Sequence, residues 1–205
     1  MACRRLSQRI FYYFFCSVPI KPGLVVFLVH LLLMKFLDEI TFNRCPKIIR
    51  RTQWAGSPPG SLNYLIVPIP YVIIQHTVTP ECTTRAKCSE QVESIRSYHM
   101  DNLGWNDIGY SFLIGGDGNI YEGCGWNREG AHTYGYNKKS IGIAFIGNFQ
   151  GRKNLSEKLV ECGKIQGALR PDVKVLGAKQ VQSTVSPGAE LYTQIQEWSE
   201  WAAQP

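Results

Sequence analysis

The 205-residue sequence lacks any long block of lysine and arginine, although its formal net charge is +6 at pH 7. Such a block is typical of a nucleic-acid-binding arm, so we do not expect nucleic acid as a partner. The positive charge suits an anionic partner such as a cell-wall polymer or a membrane surface, but charge alone does not choose between them. Internal repeats and low-complexity segments are also absent. With 44% hydrophobic and 19% charged residues, the composition predicts a folded globular body.

A continuous apolar run long enough to cross a bilayer is also missing. Residues 10–18 and 24–34 are apolar, but two prolines and a lysine lie between them, and neither run reaches the roughly 20 residues that a spanning helix needs. Three arginines precede the first run, which is the basic start of a secretory signal. We therefore expect residues 1–40 to be a basic, hydrophobic export segment. A signal anchor with the domain outside the cell and a cleaved signal peptide are both open, with a soluble leader as the third alternative.

Cys82 and Cys88 stand close together in a polar, turn-rich stretch. They predict a disulfide if the compartment is oxidising. No His/Cys pair at zinc-finger spacing accompanies them, so a structural metal site is the disfavoured alternative. If the chain is exported, Asn154 is a predicted glycosylation site, because Asn154-Leu155-Ser156 is an acceptor string in what reads as a polar loop.

Short apolar runs alternate with helical patterns from residue 45 onward. We predict strands at residues 71–74, 110–114, 120–122, 141–146 and 174–176, with a glycine-rich turn at 115–119 that makes a hairpin. Helices are predicted at residues 89–103, 156–165 and 191–201, the first two capped by Ser89 and Ser156. Two prolines exclude residues 67–70 from a central strand. This order predicts one α/β domain, residues 45–205, with a mixed sheet.

A series of short strings occurs in an order that carries a family resemblance. They lie at residues 72–77, 98–101, 104–110, 115–123, 130–137, 141–147 and 186–188. Together they resemble the animal, insect-like peptidoglycan recognition proteins, which are related to bacteriophage-type N-acetylmuramoyl-L-alanine amidases, over residues 45–201. The resemblance implies a central mixed β-sheet flanked by about three helices, with a muropeptide cleft on one face. It also implies a second disulfide, Cys45–Cys162, which would leave Cys124 as a thiol.

The zinc site of the enzymes in that family is altered in this chain. Their two histidine ligands and one cysteine ligand match Gln75, Ala178 and Ser186 here. A zinc ion supplies the nucleophilic water and the charge sink for amide hydrolysis, and an amide, a methyl group and a hydroxyl are poor zinc ligands. His76 cannot substitute, because successive strand residues face opposite sides. We therefore expect no enzymatic activity, no catalytic residue, no bound metal and no cofactor.

The resemblance also implies the residues of the binding groove. These are His76, Thr77, Gly104, Trp105, Tyr110, His132, Thr133, Asn137 and Thr184. Tyr110 and Thr184 match residues that assist zinc chemistry in the enzymes, and a packing role is the alternative for Tyr110. Gly104-Trp105 resembles members that prefer diaminopimelate-type stem peptides, but Cys124 replaces the arginine that grips the extra carboxylate. The two specificity signals therefore conflict.

Three functions follow as hypotheses. The first is a non-catalytic innate-immune pattern-recognition receptor or regulator. It binds peptidoglycan, of diaminopimelate type if the Gly104-Trp105 signal holds, or pairs with a sister peptidoglycan recognition protein. The second is an interaction module that has lost peptidoglycan binding and regulates immune signalling through contacts with a protein partner. The third, which lacks its ligands, is an active zinc amidase.

Overall fold

The computed structural model describes residues 45–54, 58–147 and 153–205. The predicted export segment, residues 1–40, lies outside the described residues. Within the described residues, no helix is both long enough and apolar enough to cross a membrane.

The described residues form a central sheet of six strands. In chain order these are β1 (Ile48–Ile49), β2 (Ile69–His76), β3 (Phe112–Ile114), β4 (Ile120–Glu122), β5 (Ser140–Phe145) and β6 (Leu169–Gly177). Their order across the sheet is β1-β4-β3-β5-β2-β6. The β3–β4 hairpin is antiparallel and the other neighbouring pairs are parallel. The predicted mixed sheet is therefore confirmed.

Three helices cover the sheet in the described part of the chain: α1 (Arg85–Ser97), α2 (Lys153–Ile165) and α3 (Ala189–Ile195). Leu159 of α2 and Leu191 of α3 join the core on the face that carries Val72. Val92 of α1 packs in a second core with Leu113. Because both faces are covered, the middle parts of the central strands are apolar, as is usual for parallel strands between helices, and polar residues occur at their ends.

The exclusion of the proline-containing segment from the central strand is wrong. β2 begins at Ile69, includes Pro70 and lies between β5 and β6. The register between β2 and β6 shifts between Ile69 and Tyr71, and the ladder to β5 starts only at Tyr71. The missing N–H of Pro70 therefore falls at an irregularity, where a proline costs no regular ladder bond.

The predicted helix starts are also wrong. The cap of α1 is Thr84, whose Oγ1 accepts a hydrogen bond of 3.4 Å from the Lys87 N–H, and Ser89 lies inside the helix. α1 ends at Ser97, and a π-helical turn over Tyr98–Asn102 follows it.

The start of α2 changes the reading of the predicted glycosylation string. α2 starts at Lys153, so Ser156 is a buried helical residue rather than a cap. Asn154 lies in the first turn of α2 and not in a loop. Its glycosylation stays a prediction.

The terminal helix is shorter than the predicted span of 191–201. α3 ends at Ile195, and the chain after it runs beside β6. Val175 donates its N–H to the carbonyl of Glu200 at 2.8 Å and accepts from the Ala202 N–H at 3.1 Å. This backbone pairing requires an extended segment, so the helix must end before it.

Both predicted disulfides are present. Cys45–Cys162 joins the start of the domain to α2, with the Cα atoms 4.9 Å apart. Cys82–Cys88 closes the loop that leads into α1, with a Cα separation of 5.0 Å. Among the five described cysteines, Cys124 remains a buried thiol.

Candidate functional site

Two of the three altered zinc-ligand positions lie where β2 and β6 end. Gln75 is the next-to-last residue of β2, and Ala178 directly follows β6. The two strands are parallel, and Ile74 pairs with Gly177. Gln75 and Ala178 therefore each lie one residue beyond a paired position, at the same edge of the sheet.

Ser186 is tied to both of these strand ends. Its Oγ accepts a hydrogen bond from the His76 N–H at 3.1 Å, and its carbonyl accepts from the Lys179 N–H at 2.8 Å. Thr184 holds the same loop, because its Oγ1 accepts from the Ser186 N–H at 3.2 Å. The structure thus brings together the three positions that the sequence singled out.

Gln75 is committed to hydrogen bonds rather than open to a metal. It is 4% exposed, and its Nε2 donates to the His132 carbonyl at 2.9 Å and to Thr133 Oγ1 at 3.1 Å. Its Oε1 is buried without a hydrogen-bond partner among the described residues. The amide therefore fixes the loop at residues 132–133 against the end of β2.

The donor set does not fit a zinc ion. Ala178 offers no donor atom and is fully buried, and the Oγ of Ser186 already accepts a backbone hydrogen bond. Within the described ranges, no group of three His, Cys, Asp or Glu side chains could hold a metal. A zinc ion prefers nitrogen, sulfur or carboxylate ligands, and a carbonyl oxygen of Gln75 alone would not replace them.

His76 and Thr77 close β2 beside this cluster. The ring of His76 is buried, and neither nitrogen has a hydrogen-bond partner among the described residues. Burial lowers the pKa of His76 below its usual value, so the neutral ring is favoured. A Cβ added at Gly188 would lie 3.5 Å from this ring. The Oγ1 of Thr77 accepts from the Gly147 N–H at 3.0 Å, which fixes the loops that follow β2 and β5.

The ring of His132 packs against Gly142 of β5. A Cβ added at Gly142 would come within 2.5 Å of its ring, so a glycine is required there. Burial lowers the pKa of His132 to about 4, against a smaller opposing effect of the Ser140 backbone. Its Nδ1 lies 3.0 Å from Thr133 Oγ1, and the Thr133 N–H donates to Asn137 Oδ1 at 2.8 Å. The predicted groove residues 132, 133 and 137 are thus one hydrogen-bonded unit.

An open cleft of about 250 Å³ adjoins this unit. Asn137 belongs to both, since it also lines the wall of the cleft. Trp105, Asp107, Cys124 and Arg128 are among the other lining residues. The cleft and the altered zinc positions are therefore connected through the Asn137–Thr133–Gln75 chain of hydrogen bonds.

An aromatic cluster supports the cleft. The ring of Trp105 packs on His99 with the centroids 4.6 Å apart, and the ring centroids of Tyr110 and His99 are 5.5 Å apart. Gly104 has a φ of +69°, a left-handed conformation that glycine adopts without strain, and it turns the chain into Trp105. Burial raises the pKa of Tyr110, so its phenol stays protonated. The ring contact agrees with the packing role for Tyr110.

A cluster of three arginines around Asp107 was not predicted from the sequence. Arg51 donates to both carboxylate oxygens of Asp107, at 2.7 and 2.6 Å, and Arg96 Nε donates at 3.2 Å. The Ile108 N–H adds a bond of 2.7 Å, and Arg128 Nη1 lies 3.6 Å away. The arginines come from three separate segments of the chain, so no local sequence motif indicates the cluster.

The comparisons with known proteins agree with this fold. A model of the N-acetylmuramoyl-L-alanine amidase family matches residues 67–189. Peptidoglycan-recognition protein SA of Drosophila melanogaster is 47% identical over 167 residues, which are 78% of this chain and 82% of that relative. The chain belongs to the peptidoglycan recognition protein family. The family resemblance drawn from the sequence strings is thereby confirmed.

Solved structures of other peptidoglycan recognition proteins match at the level of the fold. Bumblebee PGRP-SA is 62% identical with a TM-score of 0.76, over 78% of this chain and 100% of that one. PGRP-LE, solved in complex with tracheal cytotoxin, a monomeric diaminopimelic acid-type peptidoglycan, is 40% identical with a TM-score of 0.73, over 76% of this chain and 95% of that one.

Proposed function

We propose that this peptidoglycan recognition protein binds peptidoglycan fragments as an innate-immune receptor or regulator and does not hydrolyse them. The observation that carries the proposal is the cluster of Gln75, Ala178 and Ser186, which lies at the strand ends but offers no set of zinc ligands. Without an activated water and a charge sink, the amide bond of the ligand stays intact.

The groove retains features that suit a sugar-peptide ligand. The cleft combines an aromatic wall at Trp105 with polar groups at Asn137 and Arg128, and a concave site with a few placed polar groups is the usual form of a ligand site. The relative PGRP-LE was solved with a diaminopimelic acid-type ligand, which supports the same ligand class for this chain.

The test has two independent readouts on the full chain produced in a secretory host. Binding is measured by pull-down on insoluble peptidoglycan of diaminopimelate and lysine types. Hydrolysis is measured as release of stem peptide from muropeptide, with elemental analysis for zinc. We expect binding, no release and no stoichiometric zinc. One zinc per chain together with chelator-sensitive release would overturn the non-catalytic assignment.

A second candidate is an interaction module that no longer binds peptidoglycan. It is favoured by Cys124, which is 5% exposed and whose pKa burial raises to about 12, so it brings no charge to the cleft. This candidate predicts no retention on either peptidoglycan, together with a stable complex with a sister recognition protein in sedimentation experiments.

Export of the domain is part of the proposal, because both disulfides require an oxidising compartment. We expect protein from a secretory host to carry a glycan on Asn154. Asn154→Gln is the matched control, and an identical gel position for the two proteins would show that the acceptor string is not used.

A further inference from the structure

A short strand that is paired on only one side lies beside the cleft. Residues 62–66 pair with residues 127–129 through two backbone hydrogen bonds of 2.8 and 2.9 Å. Tyr64 lies opposite Arg128 in this antiparallel bridge and takes part in neither bond, so its own N–H and carbonyl point away from residues 127–129. Among the described residues, no backbone hydrogen bond is made by Tyr64 or Ile66 on that outer side. This outer side is named the 62–66 edge.

The side chains along the 62–66 edge are apolar and exposed to solvent. Leu62 is 44% exposed, Tyr64 71% and Ile66 90%. Alternate residues of a strand share a face, so these three side chains form one apolar row, whereas Leu65 belongs to the core. Residues 61–67 include no charged residue and no proline, which are devices that keep an exposed edge from pairing. The edge is therefore open to another strand.

A protein strand fits the 62–66 edge better than a lipid surface does. The apolar row alone would suit either partner. Backbone N–H and carbonyl groups that enter hydrocarbon without hydrogen-bond partners are strongly destabilised, however, and an open strand edge is not found there. A pairing strand satisfies these groups and covers the apolar side chains in the same contact.

The sequence of the 62–66 edge is complementary to itself. In an antiparallel pair centred on Tyr64, each Tyr64 lies opposite the same residue of the second copy, and Leu62 lies opposite Ile66. Every pair across the contact is then apolar, and such pairs stabilise a sheet. The net charge of +6 opposes association of two copies in general, but this contact adds no pair of like charges. The fitting partner is therefore a second copy of this chain.

We propose that two copies of this protein pair through their 62–66 edges and form a symmetric dimer whose two clefts open on the same face. The twofold axis of an antiparallel strand pair is perpendicular to the sheet, so both copies present the same face. Tyr64 and Arg128 share that face because they lie opposite each other, and Arg128 and Leu62 line the cleft. Residues 127–129 of the two copies lie about 14 Å apart, which is three strand spacings.

The dimer is reversible, and it favours a ligand that repeats its recognition unit. An edge of five residues is only about 17 Å long, so the interface is small and the expected Kd is about 1–100 μM. On a polymer, the second cleft of a dimer binds in an intramolecular step, which raises the overall affinity. This gain in affinity rests on the proposed peptidoglycan binding, whereas the dimer itself does not.

The dimer is measured by sedimentation of the full chain from a secretory host, at concentrations below and above the expected Kd. Tyr64→Lys places two like charges opposite each other at the twofold axis, and Tyr64→Pro removes an N–H that no bond within the described chain uses. Each should raise the Kd by about 10-fold or more. Tyr98→Lys is the matched control at another exposed tyrosine, 55% exposed, and should dimerise like the wild type. Circular dichroism checks that each variant is folded.

Two double variants test the antiparallel register, in which residue 62 of one copy faces residue 66 of the other. Leu62→Lys with Ile66→Glu places opposite charges together at both ends of the contact and should preserve the dimer. Leu62→Lys with Ile66→Lys places like charges together and should abolish it. Equal dimerisation of the two double variants would contradict this register.

The remaining outcomes separate the dimer from the alternatives and from the proposed function. A wild type that stays monomeric, or dimers that persist in both Tyr64 variants, overturns the proposal. A monomeric wild type that sediments with anionic phospholipid vesicles, and loses this binding in Tyr64→Lys, would assign the surface to lipid instead.

A separate measurement tests the gain in affinity on a polymer. At concentrations above the dimer Kd, the wild type should bind insoluble peptidoglycan about 10-fold more tightly than Tyr64→Lys, although the added lysine favours an anionic polymer. The two proteins should bind a monomeric muropeptide within about 3-fold of each other. Equal binding of the polymer would overturn the gain in affinity. A dimer that binds neither ligand would overturn the proposed function and leave the dimer supported.

Discussion

Restoring the three zinc ligands tests whether their loss alone accounts for a non-catalytic site. The variant carries Gln75→His, Ala178→His and Ser186→Cys. Hydrogen bonds already tie Ser186 to the residues that follow Gln75 and Ala178. Two imidazoles and one thiolate therefore replace side chains at positions that the fold has gathered, and that set, with one position left open, is suited to zinc.

The metal-free variant should be less stable than the wild type, by an amount that the contacts allow us to estimate. Removing Gln75 breaks its two buried hydrogen bonds, at about 1 kcal/mol each. Ala178 is fully buried, and a larger side chain there adds about 1–3 kcal/mol of overpacking. The free energy of unfolding should therefore fall by about 3–5 kcal/mol. Zinc at about 1,000 times its Kd would restore about 4 kcal/mol.

The assay is urea unfolding of the triple variant with zinc and with chelator, together with elemental analysis. Ser186→Cys alone is the matched control, because a single new ligand should bind zinc weakly and show little shift. A triple variant that remains folded by circular dichroism but gains less than about 0.5 kcal/mol from zinc, well below the linkage value, would refute the reasoning. The three side chains would then not converge on one point.

Two further predictions concern stability. The Cys45–Cys162 bridge spans 117 residues and the Cys82–Cys88 bridge spans 6. Replacing both cysteines of a bridge by serine should therefore lower the free energy of unfolding by about 5 kcal/mol for the first bridge and about 2 kcal/mol for the second. Guanidinium unfolding measures both, and a larger loss for the short loop would contradict the loop-entropy argument. The folded-state pKa of His132 is about 4, which is below its value in the unfolded chain. The stability that the neutral His132 ring contributes is therefore complete above about pH 6.5 and is lost as the pH falls towards 4. The loss is at most about 1.4 kcal/mol per pH unit. Urea unfolding between pH 7 and 5 should show a shallower pH dependence for His132→Gln than for the wild type, and equal slopes would argue against a buried neutral ring.

The parts of the fold that were predictable are those decided by local sequence. The β3–β4 hairpin follows from a glycine-rich turn between two apolar runs, and β5 from an uninterrupted apolar run. The start of α1 was missed because the cap lies in a loop that a short disulfide closes, and the end of α3 was missed because a distant contact decides it. Thr84 caps α1 inside the loop that the Cys82–Cys88 bridge closes. α3 ends where the chain must pair with Val175.

The residues of the candidate site also divide into those that local sequence predicts and those that only the fold brings together. The zinc positions could be found in the sequence because each lies in a short string, and the residues that replace them can be judged by their chemistry alone. The cluster around Asp107 could not be found, since Arg51, Arg96 and Arg128 acquire a common partner only through folding. Comparison of residue 124 with the matching position of the family shows only that an arginine is missing. In the structure, however, the guanidinium four residues later is fastened to the carbonyl of residue 124 itself. The positive charge acts at the position of the guanidinium and not at the position of residue 124 in the sequence. Residues 124 and 128 must therefore be considered together when ligand preference is inferred for this chain.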